Sequence, residues 1–141
     1  NPSPADVEKL LRFPLVGFNN RRYDNHILYV AYIGYGNEKN NDLRSRIICG
    51  DRSAYFRKAY RISWADTYDY STNKQTLKHW EVQLLIKYND LDLDWDKPLP
   101  EEMWPIVAEY CEYDVRATEA VHKDRIEEYH AREILADLSG L

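Results

Sequence analysis

A tyrosine and an aspartate, Tyr110 and Asp114, lie four residues apart in the longest helical pattern of the sequence, over 101–138. The stripe of that pattern contains Val107, Cys111, Val115, Thr118 and Val121. At about 100° per residue, Asp114 falls inside the stripe, with Tyr110 one turn before it on the same face. A carboxylate that faces a core must be neutralised, and no Lys or Arg occupies the neighbouring helical positions. The partner must come from elsewhere in the fold: a metal ion, or a neighbouring loop that Asp114 caps.

A second aspartate, Asp24, begins a predicted helix over 23–34. It precedes Ile27 and Leu28 by three and four residues, which predicts a place on the buried face. The helix dipole also favours a carboxylate in the first turn, so Asp24 could be only a helix-start residue. Two acids on the buried faces of two helices, however, need a cation between them. Asp24 and Asp114 therefore predict a shared metal site.

Three motifs, in this order and spacing, resemble those of the tyrosine-containing branch of the DEDD 3′–5′ exonucleases. Segment 20–24 (Asn-Arg-Arg-Tyr-Asp) follows a predicted buried strand over 13–18 and resembles the second motif. Tyr110-x-x-x-Asp114 resembles the third motif. Between them, segment 62–67 resembles a core strand that ends in Asp-Thr, and a predicted helix over 77–86 follows it. The proofreading domain of phage-type DNA polymerases has the most similar pattern, and the resemblance covers about residues 15–121.

This resemblance implies a partial RNase H-like α/β fold, a mixed sheet flanked by helices, in one domain over 1–141. It also implies two-metal phosphodiester hydrolysis at a DNA 3′ end, with Mg²⁺ or Mn²⁺ as the cofactor. Asp24 and Asp114 would hold the metal ions, and Tyr110 would orient the attacking water. Asn20 would fix the terminal nucleotide or the loop of Asp24. The histidine branch fits less well, because Glu109 stands where it would place its histidine.

The first motif of the family, Asp-x-Glu on an opening strand, has no convincing match. Asp6-Val7-Glu8 has the right letters, but Pro4 before it and Lys-Leu-Leu after it predict a helix. We therefore expect the sequence to be the second half of an exonuclease domain, within a larger phage or prophage DNA polymerase or nuclease. Alone it should be nearly inactive, and its uncovered sheet edges should favour self-association.

Basic residues gather in segment 44–61, where Arg44, Arg46 and Arg52 alternate with aromatic side chains. Residues 1–89 contain fourteen Lys or Arg against nine Asp or Glu, whereas residues 90–141 contain five against fifteen. Cations suit phosphates and rings suit bases, which predicts single-stranded DNA as a partner, although nothing separates DNA from RNA. The segment could equally be two ordinary solvated helices, over 42–50 and 53–59. The alternative function is therefore a non-catalytic RNase H-like module that binds nucleic acid or a protein.

The composition indicates a folded domain. The chain has 141 residues, of which 44% are hydrophobic and 13% aromatic, enough for one core. No apolar run approaches the roughly 20 residues that span a membrane, and the polar start gives no secretory signal. Cys49 and Cys111 lie far apart without metal-ligand spacing, which predicts buried free thiols and a cytoplasmic location.

Overall fold

Most of the chain is helical, with one small parallel sheet. The structure is a computed structural model of the chain, and it describes residues 2–87, 91–94 and 97–140. In order, its helices and strands are α1 (Pro4–Leu10), β1 (Val16–Gly17), α2 (Asp24–Tyr32), α3 (Asn37–Ile48), β2 (Ala65–Asp66), α4 (Thr67–Tyr70), α5 (Leu77–Gln83), α6 (Trp104–Asp124) and α7 (Ile126–Ser139). The contacts divide the chain into two compact units, residues 1–69 and 70–141.

The first unit is built around α2. Val30 of this helix is fully buried and forms a core with Leu43 and Ile47 of α3 and with Ala54. Gly50, with a φ of +79°, follows the end of α3, as its sequence position predicts. This core brings α3 and the segment after it against α2.

The sheet of the first unit pairs β1 with β2 in parallel. Val16 is opposite Ala65, and Gly17 is opposite Asp66. Two parallel strands must be joined by a crossover connection, and here that connection contains α2 and α3. The predicted α/β class is therefore confirmed. Within the described residues, the sheet consists of these two strands.

Helix α1 contains Asp6 and Glu8, the two residues that match the Asp-x-Glu pattern. Ser3 caps it, because its hydroxyl accepts a hydrogen bond from the Asp6 backbone N–H while the Asp6 carboxylate accepts one from the Ser3 N–H. Pro4 occupies the first helical position, where a missing N–H costs nothing. Asp6 and Glu8 thus lie on a helix, as the sequence predicts, and not on a strand.

The predicted helix over 53–59 is wrong. Two short 3₁₀ turns, Arg52–Ala54 and Ala59–Arg61, replace it. The Phe56 N–H, which such a helix would direct to the Arg52 carbonyl, donates instead to Nδ1 of His26, 3.0 Å away. A tertiary contact therefore overrides the local helical tendency of this segment.

The second unit contains α5, α6 and α7. Trp80 of α5 and both Ala117 and Val121 of α6 have no exposed surface, and the Arg125 guanidinium lies 4.5 Å from the Trp80 ring centroid. Glu128 of α7 accepts hydrogen bonds from the backbone N–H and the hydroxyl of Thr72. The long predicted helix is interrupted at Arg125, between α6 and α7.

The buried stripe predicted for α6 is partly wrong. Val115 is 68% exposed and Cys111 is exposed, whereas Ala117 and Val121 are buried. Cys49 is exposed too, so the expectation of two buried thiols is incorrect. Periodicity weights all apolar side chains alike, and it cannot show which face α5 and α7 cover. Among the described residues, no helix has the length and apolar character that crossing a membrane requires.

Candidate functional site

Asp66, the last residue of β2, accepts hydrogen bonds from the backbone around the second motif, segment 20–24. One carboxylate oxygen of Asp66 accepts hydrogen bonds from the backbone N–H groups of Asn19 and Tyr68, at 2.7 and 3.0 Å. The other oxygen accepts from the Arg21 N–H at 3.0 Å. Asp66 is only 2% exposed, and three N–H donors compensate its buried charge. The Asp-Thr end of this strand is visible in the sequence, but its role as an anchor is not.

Asn20, predicted to bind substrate, forms a buried polar network. Its Nδ2 donates to Oδ1 of Asn25 at 2.9 Å, and Nδ2 of Asn25 donates to the Ala59 carbonyl and the Ser63 hydroxyl, both at 3.0 Å. A Cβ on Gly17 would lie 2.6 Å from Cγ of Asn20, so this approach requires glycine. These hydrogen bonds join Asn20, which precedes Asp24, to α2, and both of its predicted roles stay predictions.

Asp24, predicted as a buried metal ligand, is exposed in the first turn of α2. The buried face of α2 contains Asn25, His26 and Val30 instead. Partial desolvation raises the pKa of the Asp24 carboxyl, a backbone hydrogen bond at the same residue opposes this, and the Asp66 charge adds to it. The side chain nevertheless remains exposed to solvent.

The third motif lies beside a lysine of α5. Tyr110 and Asp114 are both half-buried on α6, and Nζ of Lys78 lies 5.6 Å from the Tyr110 ring centroid. Burial raises the pKa of the Asp114 carboxyl, and the positive charge of Lys78 opposes that rise. Lys78 thus acts electrostatically on Asp114 from another element, whereas the predicted metal ion stays a prediction. Sequence reasoning missed Lys78, because nothing local shows that α5 packs on α6.

The three arginines predicted to bind phosphates are not equivalent. Arg46 is engaged within the protein: Nε contacts Asp51 at 2.8 Å, and Nη2 donates to the Ser53 hydroxyl at 2.8 Å. Hydrogen bonds from Ser53 and Arg46 lower the pKa of Asp51 to about 2. Arg44 is half-buried, whereas Arg52 is exposed. Arg52 is thus the most accessible of the three.

His26 is a fully buried histidine of the first unit. Its Nδ1 accepts the Phe56 N–H, and the rings of Tyr55 and Tyr60 lie edge-on at 4.9 Å from its ring. Desolvation lowers the pKa of His26, although the Arg21 carbonyl partly opposes this. Nδ1 must be unprotonated to accept a hydrogen bond, so the neutral ring is part of the core.

A metal site that includes Asp24 and Asp114 stays a prediction. Carboxylate oxygens suit Mg²⁺ or Mn²⁺, and both predicted ligands are carboxylates, Asp24 on α2 and Asp114 on α6. The described residues contain no group of three or more His, Cys, Asp or Glu that could hold a metal ion. The donor chemistry fits the ions, but these residues do not complete a two-metal site.

Comparison with known proteins finds no match for this chain among protein-family models, curated proteins or solved structures. The likeness to the DEDD exonucleases therefore depends on the motifs and their placement. The likeness itself stays a prediction, and the structure gives only the positions of two of the motifs. The second motif follows a strand and is fixed to the end of its parallel neighbour, and the third motif lies on a long helix.

Proposed function

We propose that this chain is part of a metal-dependent 3′–5′ exonuclease of the proofreading type. It would act on DNA, within a larger phage or prophage DNA polymerase or nuclease. The main support is the anchoring of segment 20–24 at the end of β2 by the Asp66 carboxylate. A buried acid with three backbone donors fixes the position of this loop, and a preorganised loop is what a catalytic carboxylate requires.

The residues of the chain have distinct roles in this proposal. Asp24 and Asp114 are metal ligands, and the Tyr110 hydroxyl orients the attacking water and the scissile phosphate. Bound Mg²⁺ or Mn²⁺ would supply the charge that activates water and stabilises the leaving 3′ oxygen. The remaining carboxylates would come from an Asp-x-Glu strand, which the helical Asp6 and Glu8 do not provide.

Lys78 has a place in the same proposal. Asp114 is half-buried, which disfavours its charged form. The positive charge of Lys78 on α5 opposes this effect. It would keep the third motif folded until a divalent ion takes over part of the compensation.

The test is digestion of 5′-labelled single-stranded DNA in Mn²⁺ by the longest natural polypeptide that contains these residues. We expect stepwise shortening from the 3′ end, reduced at least about 100-fold by Asp114→Asn because a metal ligand is lost. Asp137→Asn, at an exposed acid of α7, is the matched control and should leave the rate unchanged. The 141 residues alone should be nearly inactive. Intact DNA after incubation with the longest polypeptide would exclude the exonuclease.

A non-catalytic binding module is the second candidate, and the position of Lys78 favours it. The positive charge of Lys78 acts on Asp114 without any metal ion, as a module with no metal site would require. Manganese binding, followed by electron paramagnetic resonance, separates the two functions. The exonuclease predicts binding that Asp24→Asn and Asp114→Asn each weaken. A binding module predicts bound, intact DNA and no change of manganese affinity in either variant.

A further inference from the structure

Exposed cations and exposed rings occur together on the first unit. Segment 52–65 contains four Arg or Lys residues and no Asp or Glu. Three of these cations and two aromatic side chains form what we term the 57–64 surface: Arg57, Lys58 and Arg61, with Tyr60 at 40% and Trp64 at 64% exposure. This surface therefore combines positive charge with exposed aromatic area.

The backbone of the 57–64 surface is held in place by the protein beneath it. Nδ2 of Asn25 donates to the Ala59 carbonyl and to the Ser63 hydroxyl. The Trp64 N–H donates to the Leu15 carbonyl at 2.8 Å. Because the segment is already ordered, a ligand would bind with little further cost in conformational entropy.

The ring of Tyr60 is also fixed. It packs against the buried His26 ring at 4.9 Å and stacks with Tyr55 at 6.4 Å between centroids. The remaining exposed part of Tyr60 lies in the same segment as Trp64. Exposed aromatic rings among cations are typical of proteins that bind unpaired bases and their phosphates.

We propose that the 57–64 surface binds single-stranded DNA. Arg57, Lys58 and Arg61 would contact phosphates, and Trp64 and Tyr60 would stack on bases. A single strand fits better than a duplex, because a duplex conceals the base faces that the rings would contact. The choice of DNA rests on the proposed function, but the binding itself requires no metal ion.

The test is fluorescence anisotropy of a labelled single-stranded DNA of about 20 nucleotides with the full chain in EDTA. Trp64→Ala should weaken binding about tenfold or more, because one stacking contact is lost. The double variant Arg57→Gln with Lys58→Gln should reduce the slope of log affinity against log salt by about 1.4, since two phosphate contacts are lost.

The matched controls lie in the second unit. Trp104→Ala removes another exposed ring, one that is 56% exposed. Arg116→Gln with Lys123→Gln changes the net charge by the same amount as the Arg57 and Lys58 variant. Both controls should bind DNA like the unchanged chain. Circular dichroism verifies that every variant is folded.

Three results would overturn the inference: unchanged binding by Trp64→Ala, equal affinity for a duplex of the same length, or RNA bound tenfold more tightly than DNA. The proposed function fails separately. DNA bound at the 57–64 surface but never shortened in Mn²⁺ would exclude the exonuclease and support this surface. If the DNA is shortened and Trp64→Ala changes neither the shortening nor the DNA affinity, the exonuclease is supported and the 57–64 surface is excluded.

Discussion

At the scale of single residues, the Asn20 side chain packs directly against the Cα of Gly17 at the end of β1. A Cβ at position 17 would lie 2.6 Å from Cγ of Asn20, which is held by its hydrogen bond to Asn25. Gly17→Ala should therefore lower the free energy of unfolding by about 2 kcal/mol, measured by urea denaturation. Gly36→Ala is the control, since Gly36 has a φ of −72° and no atom within 4 Å of its Cβ. An unchanged midpoint for Gly17→Ala would contradict the observed position of Asn20.

His26 makes the stability of the first unit depend on pH. Its pKa in the folded state is lowered from 6.5, so the unfolded chain binds more protons below that pH. The stabilisation is complete above about pH 6.5 and is lost as the pH falls toward the folded pKa. Urea unfolding at a series of pH values should show this decrease. His26→Asn keeps an acceptor for Phe56 but cannot titrate, so its decrease should be smaller.

The control for this pH dependence is His79→Asn, because His79 is an exposed histidine of the second unit. The stability of this variant should follow the same pH curve as that of the unchanged chain. If His26→Asn and the unchanged chain give parallel curves, then His26 does not cause the pH dependence.

At the scale of elements, α6 offers a direct comparison of two valines. Val121 is fully buried, whereas Val115 is 68% exposed, although both belong to the apolar pattern of the sequence. Val121→Ala should reduce the free energy of unfolding by about 2 kcal/mol, because two buried methyl groups are lost and a cavity forms. Val115→Ala should change it by less than about 0.5 kcal/mol. Equal effects in urea denaturation would mean that α6 is rotated relative to the structure.

At the scale of the whole molecule, charge and strand edges both favour self-association. Residues 1–69 have eleven Lys or Arg against eight Asp or Glu, a net +3, while residues 70–141 have eight against sixteen, a net −8. The sheet has only two strands within the described residues, and Val16 of β1 is 37% exposed. We expect sedimentation velocity to show association that increases with concentration.

Two variants test the origin of that association. Val16→Lys places a charge on a strand edge and should shift the equilibrium toward monomer. Val115→Lys adds the same charge at an exposed position of α6 and serves as the control. A monomer at all concentrations would show that neither the strand edges nor the opposite charges of the two units cause self-association.

The amino-acid sequence by itself determined most helix positions in this protein, because local signals control helix ends. Ser3 and Pro4 begin α1, and Gly34 and Gly50, both with positive φ, follow the ends of α2 and α3. The parallel pairing of the two strands was not among the sequence predictions, which gave a mixed sheet. The sequence also predicted that any partner of Asp114, a metal ion or a loop that it caps, would come from another element.

Only the tertiary structure decided which side chains meet at the candidate site. It placed Lys78 beside Tyr110, made Asp66 the anchor of the second motif, and left Asp24 exposed. The Asp66 anchor joins residues 47 positions apart. Periodicity describes a face within one helix or strand, whereas such contacts depend on how separate elements pack, which no local pattern contains.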